Sequence, residues 1–306
     1  MWFLFALISA FLLGCYDVFK KVSLRGNAVI PVLWCNTLFC ALFFLPVIVC
    51  SHVGIICDDS TFYVGSHSFQ AQGLVMLKAV IVLSSWICGY YGIKYLPLTI
   101  VGPINATRPV LTLIGAIVVF GERLNLWQWV GVLTAIVAFW LLKRSGKKEG
   151  ISFADNRWVI LLLLAAVLGA VSGLYDKFLL APVEQGGMAL SHLFVQSWYN
   201  LYQFILMTVI TLILWMPHRK KGTPFAWRYS ILFISLFLTM ADMSYFYALN
   251  QSGALIAIVS MTRRSSVLVS FAFGALFLRE RNVRSKFFDL LLVLFSLICL
   301  CIGAMS

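Results

Sequence analysis

Two six-residue stretches, GCYDVF at residues 14–19 and GLYDKF at residues 173–178, lie 159 positions apart and share four letters. Each stretch closes a long apolar run, so the two runs end in the same way. A single match of this length can arise by chance. A series of matches at nearly the same spacing would instead indicate an internal repeat, which is a property of the whole fold.

Further matches do recur at this spacing. Tyr91 corresponds to Tyr247 and Arg108 to Arg264, in both cases 156 residues later. The charged turn FGERLN (120–125) corresponds to LRERN (278–282), 158 residues later, with Glu122 and Arg123 matched by Glu280 and Arg281. Because the spacing drifts by only three residues over more than a hundred, the sequence predicts two related halves.

The composition places both halves in a membrane. The chain is 62% hydrophobic and 11% charged, whereas an ordinary soluble domain is about 25% charged. Its apolar runs are long and continuous, which favours spanning helices over the short alternating segments of a membrane barrel. Ten spans are predicted, at residues 2–20, 29–50, 72–93, 98–120, 125–142, 157–180, 189–216, 228–249, 253–278 and 286–304.

The spans divide five from five around a basic linker. The first half covers residues 1–142, the linker 143–156 and the second half 157–306. Because each half has an odd number of spans, the second half enters the membrane from the opposite face. We therefore expect an all-α integral membrane protein with ten transmembrane helices in two five-helix inverted repeats. This architecture is typical of secondary transporters, whose substrate site lies between the repeats.

The lysine and arginine residues in short loops predict the orientation. One face has only Lys78 and Arg123. This bias predicts a multi-pass protein of the cell (inner) membrane, with the linker in the cytoplasm and both termini outside. The opposite, cytoplasmic face has seventeen such residues, namely Lys20, Lys21, Arg25, Lys94, Lys143, Arg144, Lys147, Lys148, Arg157, Arg219, Lys220, Lys221, Arg228, Arg279, Arg281, Arg284 and Lys286.

Several functions are disfavoured by the sequence. The basic residues lie in short loops, where they set orientation, so the net charge of +12 does not indicate nucleic-acid binding. The eight cysteines and four histidines show no metal-ligand spacing, and there is no phosphate-binding GxxxxGK[ST] loop. We expect no cofactor, no metal and no enzymatic activity. The expected partners are a small-molecule substrate, a coupling proton or counter-substrate, and the lipid bilayer.

A known family shows the same pattern. Ten spans in two halves, the glycine- and proline-containing VGPINATRPVLTLIGAIVVFGERL (101–124) and the following WQWVGVLTAIVAFWLL (127–142) resemble the EamA-type branch of the drug/metabolite transporter superfamily. The resemblance implies an alternating-access carrier with a cavity lined by spans 4 and 9. Many ten-span relatives keep both termini in the cytoplasm, and this chain departs from them because its charge bias predicts the reverse.

Three arginines inside spans are the main candidates for substrate binding. Arg108 lies in span 4, and Arg263 and Arg264 lie in span 9, each about halfway across the membrane. Buried charges are costly, and a guanidinium group grips carboxylate or phosphate bidentately, so we expect an anionic substrate group. The alternative is structural, in which these arginines bond the carbonyls of broken helices or pair with an acidic residue.

Asp242 is the one acidic residue deep in a span. It could neutralise an arginine, bind a proton or hold a substrate amine. If the substrate is a zwitterion such as an amino acid, arginine and Asp242 would bind its two ends.

Other candidates lie beside these charges. Gly102, Pro103 and Pro109 interrupt span 4 and predict a bend, because proline removes a helical hydrogen bond. The remaining candidates for cavity contact are the polar Asn105 near this bend and Trp86, Tyr91 and Asn200 in spans 3 and 7.

The Tyr-Asp stretches are expected to mark the same joint in each half. Asp17 and Asp176 would lie near opposite membrane faces, so they cannot share one reaction but could gate the two mouths. Tyr16 and Tyr175 fit an interfacial aromatic belt. Lys20 is within helical reach of Asp17.

Two other functions remain open at this point. The first is export of cationic or drug-like compounds, for which drug-exporting relatives use a carboxylate in span 1, where only Asp17 is available. The second is a membrane-embedded lipid-modifying enzyme, which would need paired acid–base groups or metal ligands at one depth.

Overall fold

The computed structural model describes residues 2–57, 60, 62–65, 67–120, 124–147, 155–219, 223–249, 259, 262–278 and 283–305. All the regular secondary structure in these residues is helical. Short 3-10 and π segments lie at Val183–Gln185, Thr211–Trp215 and Met216–His218. The α-helices are α1 (Trp2–Leu24), α2 (Val29–His52), α3 (Phe69–Tyr95), α4 (Leu98–Ala106), α5 (Arg108–Phe120), α6 (Leu126–Lys147), α7 (Arg157–Leu180), α8 (His192–Ile210), α9 (Tyr229–Leu249), α10 (Ser266–Leu276) and α11 (Val283–Met305).

The helices correspond to the ten predicted spans. Seven of them, α1, α2, α3, α6, α7, α8 with its extension, and α11, contain segments long and apolar enough to cross a membrane. The α9 helix contains a shorter apolar segment, Tyr229–Tyr245. The predicted all-helical membrane architecture is therefore confirmed. Span 4 consists of two helices, α4 and α5. The described part of span 9 consists of helical residues at 259 and 262–264, a break at Ser265, and α10.

Helix ends differ from the predicted ends where polar residues continue the helix. The α1 helix runs to Leu24, four residues beyond its predicted end, and α3 covers Phe69–Tyr95 instead of 72–93. A span predicted from apolar residues ends at the first charged residue, whereas the backbone hydrogen bonds of the helix continue past it. The matched charged turns at Glu122–Arg123 and Glu280–Arg281, and linker residues 148–154, lie outside the described residues.

Spans 4 and 9 break with the same local geometry. In span 4 the break is at Thr107, whose hydroxyl donates to the carbonyl of Ile104 (2.7 Å). In span 9 it is at Ser265, whose hydroxyl donates to the carbonyl of Thr262 (2.7 Å). The two break residues are 158 positions apart. Arg108 follows the first break and Arg264 precedes the second, so the two arginines are not equivalent relative to the breaks.

Helix packing sets the order of the bundle. The α1 helix packs against α9 and α10, while α7 packs against α3 and α5. The α3 helix also contacts α8, and α2 also contacts α9. Three further pairs, α2 with α8, α4 with α10 and α6 with α11, complete the main contacts.

One face of the bundle is defined by the ends of α1 and α3. Lys21 Nζ donates to the carbonyls of Ile93 (2.7 Å) and Leu96 (2.6 Å) at the end of α3. Tyr95 stacks on Trp158, with ring centroids 3.8 Å apart, so α7 begins at this face. We call it the basic face. Since α7 starts where α1 ends, the two helices finish at opposite faces.

The glycines of the repeated stretches lie where α1 and α7 pass the broken spans. A Cβ atom on Gly14 would lie 2.4 Å from Val269 Cβ and 2.9 Å from the carbonyl of Ser266 in α10. A Cβ atom on Gly173 would lie 3.6 Å from Thr112 Oγ1 in α5, which is an ordinary contact. The approach that requires glycine is therefore the one between α1 and α10.

Candidate functional site

The described residues enclose a cavity of about 400 Å³. Its wall contains residues from α1, α3, α4, α7, α8 and α9 and from both sides of the breaks in spans 4 and 9. This volume is in the range of pockets that hold small organic molecules. Most of the sequence-predicted candidates line it, namely Arg108, Arg263, Arg264, Asp242, Asn105, Trp86, Gly102, Asp17 and Asp176.

Asp242 and Arg263 form an ion pair inside the cavity. Arg263 Nη2 donates to Asp242 Oδ1. The second oxygen of Asp242 accepts a hydrogen bond from Gln196 Nε2 (3.0 Å). The guanidinium of Arg263 also lies over the ring of Tyr245, with Cζ 4.7 Å from its centroid. Arg263 is therefore already held by protein groups, as the structural alternative anticipated.

Arg108 begins α5 immediately after the break in span 4. Its guanidinium lies against Gly169 of α7, where a Cβ atom would be 3.0 Å from Arg108 Cζ and 3.1 Å from Nε. Arg108 Nε and the neighbouring Asn105 Oδ1 are buried, and neither has a hydrogen-bond partner among the described residues. A buried donor without a partner is costly. The described residues therefore leave Arg108 with an unsatisfied donor.

Arg264 adds a second positive charge. Among the described side chains, no ion pair includes Arg264 or Arg108. Both arginines line the same cavity, so two like charges border one space. The adjacent Arg263 and Arg264 thus have different surroundings, as expected for consecutive positions that point about 100° apart on a helix.

Asp17 lies on the part of the cavity nearer the basic face. Its carboxylate pairs with Lys20 Nζ at 2.8 Å, which confirms the predicted contact. Lys20 Nζ also lies 4.0 Å from the ring centroid of Tyr16 and 5.1 Å from that of Tyr90. The prediction that Tyr16 belongs to an interfacial belt is wrong. Because α1 continues to Leu24, Tyr16 lies two turns inside the helix and is buried in the cavity wall.

Asp176 lies on the part of the cavity nearer the opposite face. It pairs with Lys78 Nζ at 2.6 Å, and this contact joins α7 to α3. Lys78 Nζ also lies 4.8 Å from the ring centroid of Tyr199. Sequence reasoning treated Lys78 only as an orientation signal. Since α3 begins at Phe69, Lys78 lies nine residues inside the helix.

Four predicted candidates do not line the cavity. Tyr91 stacks on Trp158 instead, with ring centroids 6.1 Å apart. Asn200 is buried and donates to the carbonyl of Gln196 in its own helix (2.8 Å). Pro103 lies within α4 and does not end it, and Pro109 is the second residue of α5, a position where a helix tolerates proline.

The bend in span 4 is therefore later than Gly102 and Pro103 suggest. The helical hydrogen-bond pattern is interrupted only at Thr107, whose backbone angles stay in the right-handed helical region. A continuous helix would need a hydrogen bond from the backbone N–H of residue 109 to the carbonyl of Asn105. Proline has no N–H, so Pro109 cannot form this bond. Gly102 instead permits close packing, because a Cβ atom there would lie 2.6 Å from Val267 Cγ2.

Gln196 and His192 line the cavity and were missed by sequence reasoning. Both belong to the first two turns of α8. The available signal was their spacing, since positions 192 and 196 are about one helical turn apart and share a face with Tyr199, which also lines the cavity.

Comparison with protein families agrees with this structure. The model of the EamA-like transporter family matches residues 1–144. This family is part of the drug/metabolite transporter superfamily. The match over residues 1–144, together with the apolar helices, supports a multi-pass membrane transporter. EamA is a family of transporters, which is consistent with the expectation of no enzymatic activity.

Seventeen solved chains match this chain. One, described only as the crystal structure of a protein, has a TM-score of 0.59 at 13% identity and covers 98% of this chain and 97% of its own. At this identity the likeness concerns the fold alone. A search of curated proteins finds no match.

Proposed function

We propose that this EamA-like protein is a secondary carrier for a small organic solute with an anionic group, and that it works by alternating access. The observation that carries the proposal is the cavity with two guanidinium groups, Arg108 and Arg264, that no carboxylate among the described residues neutralises. Uncompensated buried charge is costly, so a bound anion would stabilise the protein.

Alternating access requires two halves that can exchange conformations, and paired contacts support the inverted repeat. Ser9 Oγ donates to the carbonyl of Ala241 (2.6 Å), and Ser85 Oγ donates to that of Ala165 (2.8 Å). Ser9 is 156 residues before Ala165, and Ser85 is 156 residues before Ala241. One contact therefore becomes the other when the halves are exchanged. The same exchange relates α1–α9 packing to α3–α7 packing, and α1–α10 to α5–α7.

Of the two outer ion pairs, only Lys78–Asp176 joins two helices, and it is the proposed gate. Lys78 and Asp176 join α3 to α7 nearer the opposite face, so this contact must break if these helices separate there. Asp17 and Lys20 lie within α1 and reach α3 only through the ring of Tyr90. A pair within one helix does not lock two helices together. Opening nearer the basic face would therefore leave the Asp17–Lys20 pair intact.

The proposed orientation keeps linker 143–156 in the cytoplasm and both termini outside an inner membrane. Lys177, near the end of α7, belongs to the same face as Lys78 and Arg123, which makes the bias seventeen to three. The substrate, the coupling proton or counter-substrate and the surrounding bilayer are part of this proposal.

A binding screen tests the proposal. Purified protein is heated with anionic, zwitterionic and cationic metabolites, and its melting temperature is compared with that of Arg108→Gln and Arg264→Gln variants. We expect anions to stabilise the wild type and both variants to lose most of that effect. Arg144→Gln is the matched control, because Arg144 is exposed on α6 and lies over Trp140 outside the cavity. Stabilisation by cations alone, or normal anion effects in both variants, would refute the proposal.

Export of a cation is the second candidate, because Asp17 of span 1 does line the cavity. The Lys20 ammonium at 2.8 Å opposes it, since a cationic solute would have to displace this partner. An Asp17→Asn variant separates the two functions. It should abolish binding of a cation, whereas it should leave binding of an anion in place.

A further inference from the structure

The charges of the described residues that line the cavity do not balance. Five of these residues are basic, namely Lys20, Lys78, Arg108, Arg263 and Arg264, and three are acidic, namely Asp17, Asp176 and Asp242. With His192 neutral, two positive charges remain. This excess is a property of the cavity and not of the loops that set orientation, because every one of these residues contributes to its wall.

The three acidic residues are each committed to a different basic residue. Asp17 pairs with Lys20, Asp176 with Lys78 and Asp242 with Arg263. Each of these bases also lies over a tyrosine ring, which adds a favourable contact. The pairs are therefore complete without a ligand. The excess charge belongs to Arg108 and Arg264.

The two remaining guanidinium groups approach the cavity from different broken spans. Arg108 starts α5, and Arg264 is the last residue of the helical segment 262–264 that precedes Ser265 and α10. Because both arginines line one cavity, their like charges repel each other there. A ligand with one negative charge would neutralise one of them and leave the other. A ligand with two negative charges would neutralise both and remove the repulsion between them.

We propose that the solute is a small dianion, such as a phosphomonoester or a dicarboxylate, and that Arg108 and Arg264 together bind its two negative charges. This inference rests on the proposed function and adds the charge of the substrate to it. The fixed pairs do not take part in neutralising the ligand. Charge-assisted hydrogen bonds to guanidinium are about twice as strong as neutral ones, so the second charge should contribute substantially to affinity.

Matched probes test the charge directly in the full-length protein. Ethyl phosphate is compared at pH 8 with ethyl methyl phosphate, which has one negative charge, and succinate is compared with monomethyl succinate. We expect each dianion to bind at least about tenfold more tightly than its monoanionic partner, since a bond to a charged group contributes more than about 1.4 kcal/mol. Lowering the pH to 5 protonates ethyl phosphate, whose second pKa is about 6, and should remove its advantage.

Variants link the preference to the two arginines. In Arg108→Gln and in Arg264→Gln the ratio between each dianion and its monoanion should fall to about twofold or less. Arg264→Lys should keep most of the ratio because it keeps the charge, and this variant also controls for misfolding. Arg144→Gln should leave the ratio unchanged. Tighter binding of ethyl phosphate than of succinate, or the reverse, would identify which acidic group the substrate has.

The outcomes separate this inference from the proposed function. If monoanions bind as tightly as dianions and both depend on the arginines, the dianion inference fails and the anion carrier stands. If the dianion preference survives both glutamine variants, the assignment to Arg108 and Arg264 is wrong. If no anion binds at millimolar concentration, or only cations bind, the inference and the proposed function fail together.

Discussion

The pair formed by Asp242 and Arg263 offers a quantitative test of the division between fixed and available charges. Asp242→Asn removes the carboxylate that accepts from Arg263 and from Gln196 Nε2. Removing one member of a buried pair costs about 3–5 kcal/mol, because the other is left as an uncompensated charge. Asp242 is 9% exposed, so water reaches the site slightly and we expect a value near the lower limit, about 3 kcal/mol.

The double variant should reverse most of this loss. Arg263→Gln alone leaves the carboxylate of Asp242 without its cation and should also cost about 3 kcal/mol. With both changes, an amide pair replaces the ion pair and no charge is stranded. We expect its free energy of unfolding to lie within about 1.5 kcal/mol of the wild type, since replacing a whole buried pair is often nearly neutral. The implied coupling energy exceeds about 3 kcal/mol.

The same variants separate stability from binding. The cavity has an excess of two positive charges in the wild type and in the double variant, and of three in Asp242→Asn. If Arg108 and Arg264 bind the ligand, ethyl phosphate should stabilise the double variant as much as the wild type. If Arg263 binds the ligand instead, the double variant should lose that stabilisation.

The assay is denaturant unfolding of the four proteins in one detergent, followed by tryptophan fluorescence, with melting temperatures as a second measure. Additive single effects, with a coupling energy below about 0.5 kcal/mol, would show that the two residues do not act as a pair. An Asp242→Asn variant as stable as the wild type would contradict the assignment of a buried charge to this site.

Three further predictions concern packing, helix ends and orientation. Gly14→Ala should destabilise the protein by roughly 1–3 kcal/mol in thermal unfolding, because the new methyl group overlaps a neighbouring helix, whereas Gly73→Ala meets no atom within 4 Å and should be neutral or stabilising; equal effects would refute this packing. Lys21→Met removes donors to three carbonyls at the end of α3, at 2.6 to 3.3 Å, and should lower the free energy of unfolding by about 1.5–3 kcal/mol. Lys94 is half-buried and makes one exposed hydrogen bond of 3.4 Å to Thr223, so Lys94→Met should change the free energy of unfolding by under about 0.5 kcal/mol. Cys57 is the one exposed cysteine among the eight. A membrane-impermeant maleimide should therefore label the protein in intact cells at Cys57, and the Cys57→Ser variant is the control. Labelling only after cell lysis would reverse the proposed orientation.

Much of the helical architecture can be predicted from the sequence because the bilayer imposes it locally. Each long apolar run must satisfy its backbone hydrogen bonds within itself, which leaves a helix as the only choice for such runs. The predicted span 157–180 coincides with α7 for this reason. Predicted ends failed at Leu24 and Phe69, where helices continue into polar residues whose environment the apolar pattern does not report.

The candidate site could be predicted only in part. The sequence predicts the buried charged residues of the site, because a charge inside an apolar run is costly and is kept only for a function or a partner. These residues are Arg108, Arg263, Arg264 and Asp242. Aromatic and amide residues carry no such signal, because they fit a cavity wall and a packed helix contact equally well. Tyr91, for example, stacks on another ring. Trp86 lines the cavity and Tyr91 does not, although both lie on α3 and were weighed by the same criterion.

The sequence by itself determined the class of protein and the number of apolar spans. It also determined which spans contain charged side chains, which are costly in a membrane unless they have a partner or a function. The tertiary structure decided which of those charges are partnered. Asp242 could have neutralised any of three arginines, and only the packing of α9 against its neighbours places it on Arg263. The repeated Tyr-Asp stretches show the same division. Their spacing predicts a repeat, and the Asp17–Lys20 pair within α1 could be predicted from helical spacing. The Asp176–Lys78 pair joins α7 to α3, and it depends on a distance between helices that no sequence pattern contains.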